Sequence, residues 1–239
     1  MNNPKGFFVT GTDTEVGKTL VAGALILKLR EKGIKVIGFK PVVAGTYTNP
    51  EGEVLNEDVE TLRIASNLNS GELNICPYLL HTPAAPHLVA IQQGLPLKMD
   101  VMVKAFQNIQ KHADFVVVEG AGGLIIPLND QEDLSSFAKE IDLPIILVVG
   151  MKLGCINHAL LTYEAIKVRN LKLAGWVANS LSEEMPLLQE NLQTLRMRIS
   201  APFLGCVPPL PNELSKPINS PYSIEALNFA AQHIQLPKS

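Results

Sequence analysis

Between residues 6 and 20 the chain passes from a short apolar run, Phe7-Phe8-Val9, through Gly11 to Gly17-Lys18-Thr19, and then into an amphipathic stretch over residues 20–31. The apolar run is too short for a helix, and Gly33 is a good C-terminal stop for the stretch that follows. Strand, tight loop and helix in that order form the context a phosphate-binding loop needs. The loop N–H groups and the helix N-terminus would face an anion together. Lys18 would reach terminal phosphates, and the Thr19 hydroxyl would sit on Mg²⁺. The spacing departs from the usual pattern of Gly, four residues, Gly-Lys-Ser/Thr: Thr12 stands where the first glycine falls, so five residues separate Gly11 from Gly17. A glycine turn followed by a chance Lys-Thr is the bland alternative, and the strand and helix flanks argue against it.

The rest of the chain repeats the alternation. Strands are expected over 34–39, 114–118, 143–149, 171–178 and 203–207. Helices are expected over 58–67, 86–93, 99–112, 133–141, 185–199 and 224–234, with another ending at Val168. Residues 44–57, rich in Gly, Thr, Asn and Pro, read as loop, as do residues 150–157; four prolines break residues 71–98. Such alternation predicts an α/β fold, three-layered, its sheet predominantly parallel with helices on both faces, formed by one domain over residues 1–239. In such sheets ligands bind beyond the carboxyl ends of the strands. That edge would carry Lys40 after the second strand and Glu119-Gly120-Ala121-Gly122-Gly123 after the 114–118 strand. A carboxylate ending an apolar strand can hold Mg²⁺, and the glycines let backbone approach phosphate.

Composition narrows the partners. A hydrophobic content of 46% with 18% charged residues is that of a core-rich globular chain. A net charge of −3 gives no reason to expect nucleic acid or an anionic membrane surface as partner. The longest apolar runs are strand-length, short of the roughly 20 residues a membrane span needs. The N-terminus lacks the apolar core of a signal peptide. Cys76, Cys155 and Cys206 are odd in number and show neither metal-ligand nor disulfide spacing, so a reducing cytoplasm is the expected compartment.

Four stretches, Thr10-Gly-Thr-Asp-Thr-Glu-Val-Gly-Lys-Thr19, Phe39-Lys-Pro-Val42, Val118-Glu-Gly-Ala-Gly-Gly123 and Val148-Val-Gly-Met-Lys-Leu-Gly-Cys-Ile-Asn-His158, together resemble the dethiobiotin synthetase family, within the P-loop NTPases. Gly175-Trp-Val-Ala-Asn179 and Pro86-His87 agree, and the resemblance covers residues 7–211. It implies a ligase that uses ATP and Mg²⁺ to join CO₂ to 7,8-diaminononanoate and close a cyclic urea. The products would be dethiobiotin, ADP and phosphate, at the penultimate step of biotin synthesis. It also implies a homodimer with the substrate site at the subunit interface. By the family pattern Thr19, Asp58 and Glu119 hold the metal, Lys40 is the catalytic lysine, and Thr14 and Lys18 touch the carbamate. ATP would lie along Glu15, Val16, Gly17, Lys18, Thr19 and Leu20, with Asp58, Glu119, Gly120, Ala121 and Gly122. Asn179 and Ser180, with Pro208, Pro209 and Leu210, would read the adenine. The substrate would meet Thr14, Lys40, Ala44, Gly122 and Gly123, and Asn157 from the partner subunit.

The bland alternatives are an acid in the first turn of a helix for Asp58, a solvated strand-end lysine for Lys40 and a helix-cap residue for Asn157. Two positions depart from the pattern: Ala44 and Ala85 stand where the family has serines. Each loses one neutral hydrogen bond, worth about 0.5–1.5 kcal/mol, and the Thr46 hydroxyl is a candidate substitute. Two rival classes fit less well. The amidating synthases of cobalamin synthesis carry a glutaminase domain with a nucleophilic Cys. Partitioning-type ATPases carry a second lysine early in the loop, where this chain has Thr12-Asp13-Thr14-Glu15.

Overall fold

The structure, a computed structural model, describes residues 5–69, 71–182 and 185–237. The expectation about a signal peptide falls largely on residues 1–4, outside the described residues. Among the described residues, ten strands and eight α-helices follow one another in the order β1 Lys5–Gly11, α1 Lys18–Arg30, β2 Val36–Phe39, β3 Val42–Ala44, β4 Tyr47–Thr48, β5 Val54–Leu55, α2 Glu57–Ser66, β6 Tyr78–Leu80, α3 Pro86–Gln92, α4 Met99–Gln110, β7 Phe115–Glu119, α5 Leu134–Glu140, β8 Ile145–Met151, α6 Cys155–Val168, β9 Leu173–Ser180, α7 Leu188–Arg198, β10 Phe203–Val207 and α8 Ile224–Gln232.

Six strands form the central sheet in the order β10-β9-β8-β1-β7-β2. Every pairing in it is parallel. β7 and β8 read Phe-Val-Val-Val-Glu and Ile-Ile-Leu-Val-Val-Gly-Met, and both are buried throughout, because helices cover the sheet on both faces. α1 packs against α2 and α8, whereas α4 packs with α5 and α6 with α7. Right-handed crossovers assign these two groups to opposite faces. α1 is buried almost all round, and at Gly23 it lies against Leu227 of α8. Chain reversal across the sheet brings the C-terminal segment back: Lys28 Nζ donates to Ala231 O at 3.0 Å. The chain's one tryptophan, Trp176 of β9, is fully buried, its ring 4.5 Å from that of Phe203 on β10.

Residues 44–57 are not the plain loop expected. β4 and β5 form a small antiparallel hairpin there, and β3 pairs in parallel with β6 in a separate two-stranded sheet. The hairpin ends at Asn56, whose side chain accepts from the N–H groups of Asp58 and Val59 and caps α2. That cap fixes the start of the helix carrying Asp58. α6 starts earlier than expected, at Cys155, because Gly154 takes a left-handed conformation (φ 91°) that ends the preceding loop. β9 runs on through Asn179 and Ser180.

A Cβ at Gly23 would lie 2.6 Å from a Leu227 methyl group and 3.3 Å from Leu227 Cγ, so a larger side chain there must push against α8. Gly23→Val is therefore expected to destabilise the protein by about 1–3 kcal/mol. Urea denaturation checks this, and an unchanged midpoint would show that α8 has room to move.

Candidate active site

All the parallel strands end on one edge, and the candidate residues lie along it. Lys40 follows β2, Glu119 ends β7, the loop of residues 12–17 follows β1, Lys152 follows β8, and Asn179 and Ser180 end β9. Pro208, Pro209 and Leu210 follow β10, one strand over, where Val207 is paired with Asn179. From there the chain returns across α2: Lys216 Nζ lies 2.6 Å from Glu57 Oε2, and Tyr222 N–H donates to Thr61 Oγ1 at 3.0 Å.

The loop is shaped by small residues around one wedge. Val16 is fully buried, and a Cβ on Gly11 or Gly150 would come within 2.6 or 2.7 Å of its methyl groups. Gly17 has φ 88°, and a Cβ there would collide with the Asn179 amide. That amide donates to Val16 O at 3.0 Å and so fixes the loop to β9. Gly17 is also the N-cap of α1, where no side chain caps the helix and no acid stands in its first turn. The first N–H groups of α1 are thus free of side-chain acceptors, as an anion site requires. Thr14 and Glu15 are exposed on the loop, and Leu20 is buried beneath it. Gly122 lies against Thr14, a Cβ on it falling 3.6 Å from Thr14 Oγ1, and Gly123 lies against Gly11 O. Ala121 is half-buried between Gly120 and Gly122.

Beside the loop is an ionic cluster, buried at Lys40 and Glu119 and 28% exposed at the Asp58 side chain. Lys40 Nζ lies 2.8 Å from Asp58 Oδ2, 2.6 Å from Glu119 Oε1 and 3.2 Å from Gly120 O. Thr19 Oγ1 stands 2.7 Å from Asp58 Oδ1 and 2.8 Å from Glu119 Oε1. Lys40 is 1% exposed and Glu119 fully buried, so Lys40 is no solvated strand-end lysine. Burial would lower the Lys40 pKa, but the Asp58 and Glu119 carboxylates outweigh it and hold it above the ordinary lysine value. Burial raises the Glu119 pKa, with Lys40 pulling it back in part. Burial acts the same way on Asp58, yet the charge and hydrogen bond of Lys40, with the Thr19 hydroxyl, bring it below the usual carboxylate range.

Lys18 is also buried, and its Nζ donates to Asp13 O at 2.9 Å. Burial, followed by the charge of Lys40, pushes its pKa down to about 8. Asp13 was not singled out from the sequence. Its carboxylate accepts from Thr14 N–H and pairs with Lys152 at 2.8 Å, which holds it below the usual range. Its place inside the loop was the only available sign of this.

The oxygen groups fit a hard cation. Among the described residues no cluster of three His, Cys, Asp or Glu side chains forms a metal site. Thr19, Asp58 and Glu119 nevertheless bring together one hydroxyl and two carboxylates, an all-oxygen set suited to Mg²⁺, which keeps several waters. Glu119 Oε2 is buried and has no hydrogen-bond partner among the described residues.

The remaining expected positions lie further out. Ala44 ends β3, half-buried. Thr46 Oγ1 is 3.1 Å from His81 Nδ1, so its hydroxyl is already engaged on the β6 side. Ala85 is the N-cap of α3 and provides no side-chain cap there. Asn157 is exposed in the first turn of α6, inside the helix rather than at its cap.

A family model described as an AAA domain matches residues 5–217. The chain is similar to an ATP-dependent dethiobiotin synthetase BioD of Aromatoleum aromaticum, 49% identical over 208 residues, covering 87% of this chain and 92% of that protein. It is likewise similar to one of Nitrosospira multiformis, 42% identical over 231 residues, covering 97% and 100%. Among solved structures it resembles a ParA family ATPase from Chlorobium tepidum, with a TM-score of 0.56 and 9% identity over 97% of this chain and 90% of that one. At that identity the likeness concerns the fold alone.

The buried Lys18 ammonium has a pH consequence. Its folded pKa, about 8, lies below the ordinary value of 10.5, so between those values the unfolded chain binds more protons. Stability then rises with pH across that window, and the cost of the buried charge is fully present below it. Lys18→Met removes the charge. Its melting temperature relative to wild type is expected to be most favourable near pH 7 and to lose that advantage between pH 8 and 10.5. A difference independent of pH across the window would contradict the assignment.

Proposed function

This chain belongs to the family of ATP-dependent dethiobiotin synthetases, and from that premise we propose how its own residues divide the work. The reaction is the ATP-dependent ring closure of diaminononanoate in biotin biosynthesis, a ligase reaction. One amine of the substrate takes up CO₂ as a carbamate. The carbamate oxygen attacks the γ-phosphorus and ADP leaves. The second amine then attacks the carbamoyl carbon, closes the cyclic urea and expels phosphate. Negative charge builds on the carbamate and on the transferring phosphoryl group, so catalysis rests on positioning and fixed positive charge.

The observation that supports this reading is the pair of buried ammonium groups, Lys18 and Lys40, beside the uncapped N-terminus of α1. Charge placed in such a dry setting acts far more strongly than in water. Lys18 would bind the phosphates and the carbamate, with Thr14 at the loop's exposed rim. Lys40 would stabilise the phosphoryl group in flight. The loop from Glu15 to Leu20 and the backbone of Gly120, Ala121 and Gly122 would hold the nucleotide. Asn179, Ser180, Pro208, Pro209 and Leu210 would read its base at the β9–β10 side. Thr19, Asp58 and Glu119 would hold Mg²⁺, which when bound neutralises phosphate oxygens.

Gly122, Gly123 and Asn157 would hold the carboxylate end of the substrate, with Ala44 near its other contacts. Asn157 would act across a homodimer. Leu161 and Val168, four and eleven residues after Asn157, share its side of α6, and both are exposed, at 57% and 78%. Apolar side chains arranged in that way suit a second copy of the chain. The 239 residues would work as one domain in the cytoplasm, without nucleic-acid or membrane partners.

Labelled bicarbonate, 7,8-diaminononanoate and Mg-ATP should give one labelled cyclic urea per ADP by mass spectrometry. ADP release that ignores the diamine would overturn the substrate assignment. Lys40→Ala should lower turnover by about a hundredfold or more while leaving the affinity for an ATP analogue, measured by calorimetry, within a few-fold of wild type. Wild-type turnover in that variant would reduce Lys40 to a structural lysine. For the dimer, Lys40→Ala and Asn157→Ala chains should each be impaired, yet mixing them should restore up to about a quarter of wild-type activity through hybrid sites. No recovery on mixing would place Asn157 in its own subunit's site or outside any site.

A further inference from the structure

An ammonium group has three N–H donors. In Lys40 all three face protein oxygens: Asp58 Oδ2 at 2.8 Å, Glu119 Oε1 at 2.6 Å and Gly120 O at 3.2 Å. Held in this way, Lys40 has no donor left for a phosphoryl oxygen. Two of its three partners are also the carboxylates assigned above to Mg²⁺, and the third assigned group, the Thr19 hydroxyl, touches both of them. Thr19 has a single hydroxyl proton, so it can donate to only one carboxylate at a time. Glu119 Oε1 is shared between Thr19 and Lys40, while Glu119 Oε2 is buried without a partner among the described residues.

We propose that Lys40 and the divalent cation are rivals for the Asp58–Glu119 carboxylate pair, so that metal arriving with the nucleotide is what frees Lys40 for the phosphoryl group. The inference rests on the assignment of Thr19, Asp58 and Glu119 to the metal. Its physical basis is charge. Asp58 and Glu119 are the acidic groups of this pocket, and the Lys40 ammonium already pairs with both, with Lys18 also buried beside them. A dication alone enters a pocket with little negative charge left, and is repelled by an ammonium in contact with the same carboxylates. A nucleotide triphosphate brings its own negative charge and reverses that balance. Metal and nucleotide would then bind together, and Lys40 would be released to its reacting partner only when both are present. This order would also keep a bare metal ion from setting up the site without ATP.

The direct test is Mn²⁺ binding without nucleotide, followed by electron paramagnetic resonance. Lys40→Met should bind Mn²⁺ at least about tenfold more tightly than wild type. Adding Glu119→Gln to Lys40→Met should cancel the gain. Equal affinities in wild type and Lys40→Met would overturn the rivalry. Failure of Mn²⁺ to bind either protein, even with a non-hydrolysable ATP analogue, would overturn the metal assignment itself, and with it this inference. Should Lys40→Met fail to fold, thermal denaturation of the wild type decides. Millimolar Mn²⁺ alone should leave the melting temperature unchanged, and Mn²⁺ with the analogue should raise it beyond the analogue alone. A comparable rise from Mn²⁺ alone would refute the proposal.

Discussion

Taking the Lys40 ammonium out of water is tolerable only because two carboxylates and a carbonyl oxygen surround it, and much of the edge of this molecule is arranged around that requirement. Desolvating charges of this kind costs several kcal/mol each, and removal of one partner from a buried pair such as Lys40–Glu119 typically costs about 3–5 kcal/mol. The contacts join four parts of the chain: Lys40 follows β2, Asp58 lies in the first turn of α2, Glu119 ends β7, and Thr19 lies in the first turn of α1. The cluster therefore fixes the end of α1 that faces the loop against the sheet edge and against α2. The Asn56 cap and the Lys216–Glu57 pair hold the start of α2 from the other side. The site's ion pairs are most buried at Lys40–Glu119 and most exposed at the loop's rim. The Asp13–Lys152 pair there is about half exposed, and pairs of that kind contribute about 0–1 kcal/mol.

Much of this could be read in the sequence, for reasons of length and period. Phe7-Phe8-Val9 followed by Gly11, Gly17-Lys18-Thr19 and a buried helix admits few folds, and the apolar runs around Val117 and Val148 are long enough to be central parallel strands. What escaped was short or distant. Val42–Ala44 and Tyr78–Leu80 pair into a sheet across more than thirty residues, and neither has a period long enough to count as a strand by itself. Asp58 looked like any acid in a first turn, because its partners, Lys40 and Thr19, are brought to it only by the sheet. The start of α6 was misplaced by the left-handed backbone of Gly154, which permits a helix to begin where composition suggests loop. Asp13 was invisible for a different reason: its partner, Lys152, lies 139 residues away.

The framework itself says little about chemistry. A ParA family ATPase shares the fold with it. A parallel sheet with a phosphate loop after its first strand is a common support on which different sites are built. The residues that make up this site lie just beyond strand ends: Asp13 in the loop after β1, Lys40 after β2, and the glycines after Glu119, of which Gly122 has a positive φ and lies against Ile126.

Trp176, buried beside Phe203, gives the molecule a built-in optical reporter. It is the only indole in the chain, so intrinsic emission excited at the red edge comes from one place, the β9–β10 margin of the sheet. The Arg196 guanidinium lies 4.1 Å from the Phe203 ring centroid, and β9 carries Asn179 only three residues further on. A spectral change on adding nucleotide would thus report displacement of that margin. Loss of the whole packed core would register as a large shift toward the spectrum of an indole in water.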